Sequence, residues 1–154
     1  MEELVALLTS KKLTISSCES LTAGLFASSI ASVSGASAVL YGGLVTYQNE
    51  IKINVANVDA SIIKEYGVIS KECAIEMAKC TRMIMKSDLC VSFTGNAGPA
   101  TMEGKVAGLV YCAIAGPLGI QAYEFHFQMQ RNELREQVVC EMSKNVIQYI
   151  QSMH

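Results

Sequence analysis

The sequence LTISSCESLTAGLFASSIASV, residues 13–33, decides the fold class of this chain. Its first part, Leu13–Cys18, is an apolar run typical of a buried strand, and Leu21–Val33 mixes large apolar with small residues, which predicts a buried helix. Glu19 and Ser20 fall at the turn between them. A strand that leads into a helix across a short turn is the start of a βαβ unit, so we expect parallel strands covered by helices.

Near the C-terminus the pattern changes. Strands predicted over 107–115 and 120–128 are joined only by Gly116–Gly119, which is too short for a crossover helix, so they form an antiparallel hairpin. We therefore predict an α/β protein, a three-layer α/β/α sandwich whose mixed sheet has about five strands, one of them antiparallel. The other predicted elements are strands over 39–48 and 89–94 and helices over 2–11, 50–56, 60–66 and 132–152, plus one after Ser70, with Asn49, Asp59 and Ser70 as N-caps.

Composition indicates one compact domain over residues 1–154, with 51% hydrophobic residues, 17% charged residues and a net charge of −2. This balance gives no electrostatic reason to bind nucleic acid or an anionic membrane. The apolar stretches are broken before the ~18 residues that a membrane span needs, and the N-terminus lacks a basic signal region. We expect a cytoplasmic protein.

The cysteines and histidines do not predict a metal site or a cofactor. None of the six cysteines forms a C-x-x-C pair, and they sit in apolar runs, as small buried hydrophobic residues do in a reducing compartment. The two histidines, His126 and His154, are far apart in sequence. We expect no bound metal and no cofactor.

Three segments follow predicted strands and are candidates for one site: Ser20, Tyr47–Lys52 and Thr94–Pro99. The carboxyl ends of parallel strands meet at one edge of a sheet, where ligands bind. A serine at a strand-to-helix turn can be a nucleophile, and tyrosine and lysine can take its proton when no histidine is available. Each segment also has a simpler explanation, since Ser20 could be a helix N-cap, Lys52 a surface lysine and the Gly-Pro loop a plain turn.

Two arginines, Arg131 and Arg135, lie at the start of the last predicted helix, where acidic residues are usually favoured. They form either a solvated face or an anion site beside the helix N–H groups. The sequence has no dinucleotide fingerprint, P-loop, H-E-x-x-H or G-x-S-x-G motif, so dinucleotide, ATP and zinc-protease chemistry lack support.

With these residues identified, the chain resembles the C-terminal domain family of the CinA (competence/damage-inducible) proteins over about Thr14–Arg135. Many members of that family are nicotinamide mononucleotide (NMN) amidohydrolases. The shared motifs occur in a fixed order: Glu19-Ser20-x-Thr22-x-Gly24, Gly43-x-Val45-Thr46-Tyr47-x-Asn49-Glu50-x-Lys52, Gly67-Val68-Ile69-Ser70, Thr94-Gly95-x-Ala97-Gly98-Pro99 and Lys105-x-x-Gly108-x-Val110-Tyr111.

The resemblance implies a stand-alone form of this domain, a homodimer, and hydrolysis of NMN to nicotinate mononucleotide and ammonia in pyridine nucleotide recycling, without a metal. It implies Ser20 as the nucleophile, with Lys52 and Tyr47 handling its proton. The positions it implies for binding the nucleotide substrate are Glu19, Thr22, Thr94, Gly95, Asn96, Gly98 and Arg131.

This chain departs from the family pattern in the loop that follows Pro99, which reads Ala100–Gly104 in place of a glycine-rich segment. Fewer glycines leave the backbone less freedom to approach a phosphate. A catalytically degenerate nucleotide-binding or regulatory module of the same fold is therefore the alternative to an amidase. A third hypothesis is an amidase that uses Cys18, although no nearby motif supplies its base.

Overall fold

The computed structural model describes residues 1–154. Its strands are β1 (Ile15–Glu19), β2 (Leu40–Val45), β3 (Leu89–Gly95), β4 (Leu109–Gly116) and β5 (Gly119–His126). They form one sheet in the order β2-β1-β3-β4-β5. β1 pairs in parallel with β2 and β3, whereas β4 is antiparallel to both of its neighbours. The predicted mixed sheet with one antiparallel strand is confirmed.

Helices cover both faces of this sheet, which gives the predicted three layers. On one face, helices α1 (Glu2–Lys11), α2 (Leu25–Ala31) and α6 (Arg131–Gln151) pack with the sheet around the largest cluster of buried side chains, and on the other α5 (Lys71–Met85) crosses the strands. None of the helices combines the length and the apolar character needed to span a membrane. The remaining helices are α3 (Asn49–Asn54) and α4 (Ala60–Tyr66), with a 3₁₀ turn at Ala36–Ala38.

Side-chain caps start two helices where the sequence predicts them. Asp59 accepts a hydrogen bond from the Ser61 backbone N–H at the start of α4, and Ser70 accepts one from the Cys73 N–H at the start of α5. The predicted cap at Asn49 is wrong, because Asn49 is already the first residue of α3.

Gly42 and Gly43 in β2 lie where the pairing with β1 is irregular and the neighbouring strand is close. The β1–β2 register shifts by one residue between Ile15 and Ser16. A Cβ on Gly43 would lie 2.7 Å from the Ser17 hydroxyl oxygen. The absence of a side chain at Gly43 therefore lets β2 pack tightly beside β1.

The sequence analysis places the start of the second helix too early. α2 begins at Leu25 rather than Leu21, and Ser20–Gly24, which we call the Ser20 turn, is not helical. The carboxylate of Glu19 accepts hydrogen bonds from the N–H groups of Phe26 (2.8 Å) and Ala27 (3.1 Å). Glu19 therefore supplies the acceptor for the first turn of α2, and Ser20 is not the N-cap of this helix.

Candidate active site

The three candidate segments meet at the carboxyl ends of the parallel strands. Ser20 directly follows β1, Tyr47 lies two residues beyond β2, and Asn96 directly follows β3. Together they border a cleft of about 230 Å³. The residues that line it are Ser20, Leu21, Tyr47, Gln48, Asn49, Gly95, Asn96, Ala97, Ala100, Met102 and Arg131.

Ser20 and Lys52 are in direct contact. The Lys52 Nζ lies 3.1 Å from the Ser20 Oγ and 2.7 Å from the Thr46 carbonyl oxygen. Ser20 is half-buried at the cleft, whereas Lys52 is only 1% exposed. The backbone of Ser20 is held by a hydrogen bond from its N–H to the Phe93 carbonyl. The pair therefore has a fixed geometry, with the serine facing the cleft and the lysine behind it.

Burial of Lys52 favours its neutral amine. Desolvation lowers the pKa of Lys52 below its ordinary value of 10.5, although the nearby Cys73, Cys18 and Glu103 act in the opposite direction. A neutral amine has a lone pair that can accept the hydroxyl proton of serine, which a charged ammonium cannot do. The simpler explanation of Lys52 as a surface lysine does not hold.

Tyr47 lies at the rim of the cleft rather than between the serine and the lysine. Its hydroxyl accepts a hydrogen bond of 2.9 Å from Arg131 and makes none with Ser20 or Lys52. Its side chain is half exposed. The serine proton can therefore pass directly to Lys52, with which Ser20 is in contact. No hydrogen bond connects Tyr47 to either residue, so the structure gives no support to a proton relay through Tyr47.

Arg131 joins Tyr47 to the loop after β3. One of its Nη atoms donates to the Tyr47 hydroxyl, and the other donates to the Gly98 carbonyl at 3.0 Å. Arg131 is exposed and borders a second cleft of about 650 Å³, which Gly98, Gly108 and Phe127 also line. The guanidinium therefore stands between two adjoining clefts, where it can meet an anion that enters either of them.

The loop after β3 is held by its own side chains. The Asn96 amide nitrogen donates to the carbonyls of Met102 and Lys105, and its oxygen accepts from the Met102 N–H. The buried Thr94 hydroxyl donates to the Val68 carbonyl. Of the four site positions predicted in β3 and this loop, Gly95 and Asn96 border the cleft with Ser20, Gly98 lines the second cleft, and Thr94 is buried and lines neither.

Glu103 and Lys105 anchor the same loop to the segment before α5, which the sequence analysis did not foresee. The Glu103 carboxylate accepts from the N–H groups of Val68 (2.8 Å) and Ile69 (2.9 Å), and the Lys105 amine donates to the Ile69 carbonyl. A Cβ on residue 67 would lie within 2.6 Å of both carboxylate oxygens, so the close approach requires Gly67. These contacts fix a loop that is poor in glycine.

Two of the predicted substrate-binding side chains face away from the cleft. Both oxygens of Glu19 are used inside the fold, by α2 and by the Ser17 hydroxyl at 2.8 Å. Thr22 is fully buried. The expectation that Glu19 and Thr22 contact the substrate through their side chains does not fit this arrangement, because the end of β1 and the Ser20 turn direct them into the interior.

Arg135, one turn of helix after Arg131, supports the Ser20 turn. Its Nε donates to the Leu21 carbonyl at 2.9 Å, and its Nη2 donates to the Thr22 carbonyl at 3.0 Å. The N–H groups of Leu21 and Thr22 make no hydrogen bond within the chain. The two arginines of α6 therefore differ, because Arg131 borders the cleft and Arg135 binds the backbone that carries Ser20.

Cys18 is not placed to act as a nucleophile. Its side chain is fully buried, and burial raises its pKa, so the reactive thiolate is disfavoured. The other cysteines are not all buried as the sequence predicts, since Cys80 is half-buried and Cys140 is exposed on α6. No group of three or more His, Cys, Asp or Glu side chains is arranged to hold a metal ion.

Known proteins match this chain over nearly its whole length. The family model for the CinA C-terminal domain matches residues 1–150. A competence-damage inducible protein of Listeria monocytogenes is 40% identical over 152 residues, which is 97% of this chain and 37% of that protein. A CinA-like protein of Pseudothermotoga lettingae is 40% identical over 138 residues, 89% of this chain and 34% of that protein. The chain thus spans little more than a third of these relatives.

Solved structures have the same fold. A competence/damage inducible protein of Agrobacterium tumefaciens is 29% identical, with a TM-score of 0.92 over 98% of this chain and 95% of that one. A CinA superfamily protein of Klebsiella pneumoniae, at 23% identity, has a TM-score of 0.94 over 97% of this chain and 94% of that one. From the family match, the sequence identities and the shared fold, we conclude that this chain belongs to the CinA C-terminal domain family.

Proposed function

We propose that this chain hydrolyses the carboxamide of nicotinamide mononucleotide, with Ser20 as the nucleophile and Lys52 as the general base. The observation that carries the proposal is the 3.1 Å contact between the Ser20 hydroxyl and an amine that is 1% exposed. A nucleophile and a base within hydrogen-bond distance are the minimum set for covalent acyl transfer. The identity of the substrate is inferred from the resemblance to amidohydrolases of the same family.

In the first half of the reaction, the Ser20 Oγ attacks the carboxamide carbon while its proton moves to the neutral Lys52 Nζ. The tetrahedral intermediate collapses as the C–N bond breaks, and Lys52 returns the proton to the departing nitrogen, so ammonia leaves. In the second half, water attacks the acyl-enzyme, gives its proton to Lys52, and the Ser20 oxygen departs and takes that proton back. The products are nicotinate mononucleotide and ammonia.

The hydrogen bond from Lys52 to the Thr46 carbonyl supports this role. It holds one N–H of the amine away from Ser20, which leaves the lone pair free to face the hydroxyl. The direction of the pKa shift agrees, since the base must be neutral before each proton transfer. Backbone N–H groups of the Ser20 turn stabilise the oxyanion, as the residue after the nucleophile does in other hydrolases.

The position of Arg131 is an argument that the substrate is an anion. Its exposed guanidinium lies at the N-terminus of α6, where the helix dipole also favours negative charge, and Gln130 gives that end no side-chain cap. A nucleotide whose carboxamide lies at Ser20 would place its phosphate toward Arg131 and the second cleft. The proposed ligand is thus the mononucleotide rather than the free amide.

Ammonia release from NMN by the purified chain tests the proposal, with Ser20→Ala as the control for contaminating activity. We expect the wild type to release ammonia and the variant to release essentially none. A folded wild-type chain that binds NMN without releasing ammonia would instead support the degenerate nucleotide-binding module. A chain that neither binds nor hydrolyses NMN would reject the proposed substrate.

A further inference from the structure

The cleft beside Ser20 is small, and an exposed methionine forms part of its wall. Its volume of about 230 Å³ lies below the roughly 300–1,000 Å³ of typical small-molecule sites, so it has room for a planar ring with its carboxamide but not for a whole nucleotide. Besides Tyr47, two large apolar side chains line it, Leu21 and Met102. Leu21 is 4% exposed, whereas Met102 is 55% exposed. Of these two side chains, Met102 therefore has the free surface that a ring in this cleft can cover.

The backbone of Met102 is held by Asn96. The Asn96 Oδ1 accepts a hydrogen bond from the Met102 N–H at 3.1 Å, and the Asn96 Nδ2 donates to the Met102 carbonyl at 3.2 Å. The same carbonyl accepts from the Lys105 N–H at 3.2 Å. Both backbone polar groups of Met102 are thus bonded within the chain, so its side chain is the part that remains to meet a ligand.

Asn96 is a rigid support for this contact. It directly follows β3 and is 3% exposed. Its backbone N–H donates to the Leu109 carbonyl at 2.9 Å, and its carbonyl accepts from the Gly108 N–H at 2.8 Å. Its Nδ2 also donates to the Lys105 carbonyl at 3.0 Å. A buried amide is costly unless it is hydrogen-bonded, and the side-chain bonds of Asn96 all go to the loop after β3.

This arrangement gives an exposed methionine a fixed position. A residue in a surface loop is normally mobile, and the bonds from Asn96 remove that freedom from the backbone of Met102. The thioether side chain of methionine is polarizable and makes favourable contacts with aromatic rings. A methionine with a fixed backbone, beside a cleft of the size of a ring, is therefore suited to cover one side of a planar aromatic group.

We propose that Met102 packs against the aromatic ring of the substrate and makes the site selective for aromatic carboxamides, and that Asn96 is a positioning residue that holds Met102 at the cleft. The inference rests on the proposed function for the nucleophile and for the amide. It names the part of the ligand that the cleft beside Ser20 recognises, whereas Arg131 meets the anionic part.

The experiment compares the labelling of Ser20 by an aromatic and an aliphatic sulfonyl fluoride, measured by mass spectrometry. Phenylmethanesulfonyl fluoride and methanesulfonyl fluoride react in the same way: the Ser20 Oγ forms a bond to sulfur, its proton goes to Lys52, and fluoride leaves. The reagents differ by a phenyl ring, so the ratio of their rate constants measures ring recognition whatever the natural substrate is. Met102→Ala should lower this ratio by about 5- to 20-fold, because the ring loses the burial and the sulfur contact that Met102 provides.

Met83→Ala is the matched control, because Met83 on α5 is 71% exposed and borders a different cleft, beside Ser87 just before β3. We expect it to keep the wild-type ratio. Met102→Leu retains an apolar side chain of similar volume and should keep most of the ratio. For NMN hydrolysis, Met102→Ala should raise KM by a similar factor and leave kcat nearly unchanged, because the ring packs equally in the ground state and in the transition state.

Asn96→Ala separates positioning from stability. In the folded protein it should lower the ratio nearly as much as Met102→Ala does. The double variant should show no further loss, since both changes remove the same contact. If Asn96→Ala does not fold, Asn96→Asp takes its place, because it has the same shape and keeps the acceptor for the Met102 N–H; it should lower the ratio by less.

An unchanged ratio in a folded Met102→Ala would overturn the inference, as would an equal loss in Met102→Leu. Losses at Asn96 and Met102 that simply add would refute the positioning role of Asn96. A wild type whose labelling follows these expectations but which leaves NMN intact refutes only the proposed substrate, whereas one that does not label at Ser20 refutes the nucleophile and this inference with it.

Discussion

Replacement of Lys52 by arginine is the most informative single change in this site. Arginine keeps the positive charge and the capacity to donate hydrogen bonds, but it does not give up its proton in proteins. If Lys52 merely supplied charge beside Ser20, arginine would be tolerated. If Lys52 is the base, Lys52→Arg should be as inactive as Lys52→Met.

The size of the effect follows from the contacts of the pair. Ser20 Oγ has one hydrogen-bonding partner, Lys52 Nζ at 3.1 Å, and the Tyr47 hydroxyl is bound to Arg131 instead. No second base can therefore replace the amine. A general base contributes about 10²–10⁴ in rate, so we expect kcat/KM to fall toward the upper end of that range, which corresponds to about 5 kcal/mol of transition-state stabilisation.

Steady-state ammonia release against pH is the appropriate assay. In the wild type, kcat/KM should rise with pH and level off above an apparent pKa lower than 10.5, because the protonated lysine cannot accept the serine proton and burial shifts the balance toward the neutral amine. Lys79→Met is the matched control, since Lys79 is an exposed lysine that pairs with Glu76 on α5. A folded Lys52→Arg that retains more than a tenth of wild-type activity would refute the assignment.

Three further changes test the rest of the site. Ser20→Ala should lower turnover by about 10⁴ or more, with little change in melting temperature because Ser20 does not cap α2; substantial residual turnover would point to another nucleophile. Three buried donors bond to the two carboxylate oxygens of Glu19, and Glu19→Gln replaces one of these oxygens by an NH₂ group that cannot accept. The free energy of unfolding, measured with urea, should fall by about 1–3 kcal/mol; an unchanged midpoint would contradict the capping role. Arg131→Ala should reduce the preference for NMN over its riboside by about 10-fold or more per charge-assisted hydrogen bond lost, measured as a ratio of kcat/KM values; equal use of both compounds by the wild type would reject a phosphate site.

Much of the fold could be predicted because its signals are local. Apolar runs, helical spacing and the short Gly116–Gly119 link are properties of neighbouring residues, and they were sufficient for the mixed sheet with its antiparallel hairpin. The same signals placed Ser20, Tyr47 and Asn96 at or just after the carboxyl ends of parallel strands, and the convergence of these residues follows from strand direction alone. The helix start at Leu25 was missed because its acceptor is a strand residue, Glu19, rather than a serine or aspartate next to the helix.

The roles of individual side chains were decided by contacts between distant parts of the chain. β1 is buried on both faces, so its sequence does not reveal that Glu19 turns toward α2. The difference between Arg131 and Arg135 depends on which carbonyl or hydroxyl groups the fold brings to α6. The sequence by itself determined which elements form and at which edge the polar residues gather, because both depend on local periodicity and chain direction. Only the tertiary structure decided that Lys52 is buried against Ser20, because desolvation and direct contact arise only when α3 packs onto the ends of the strands.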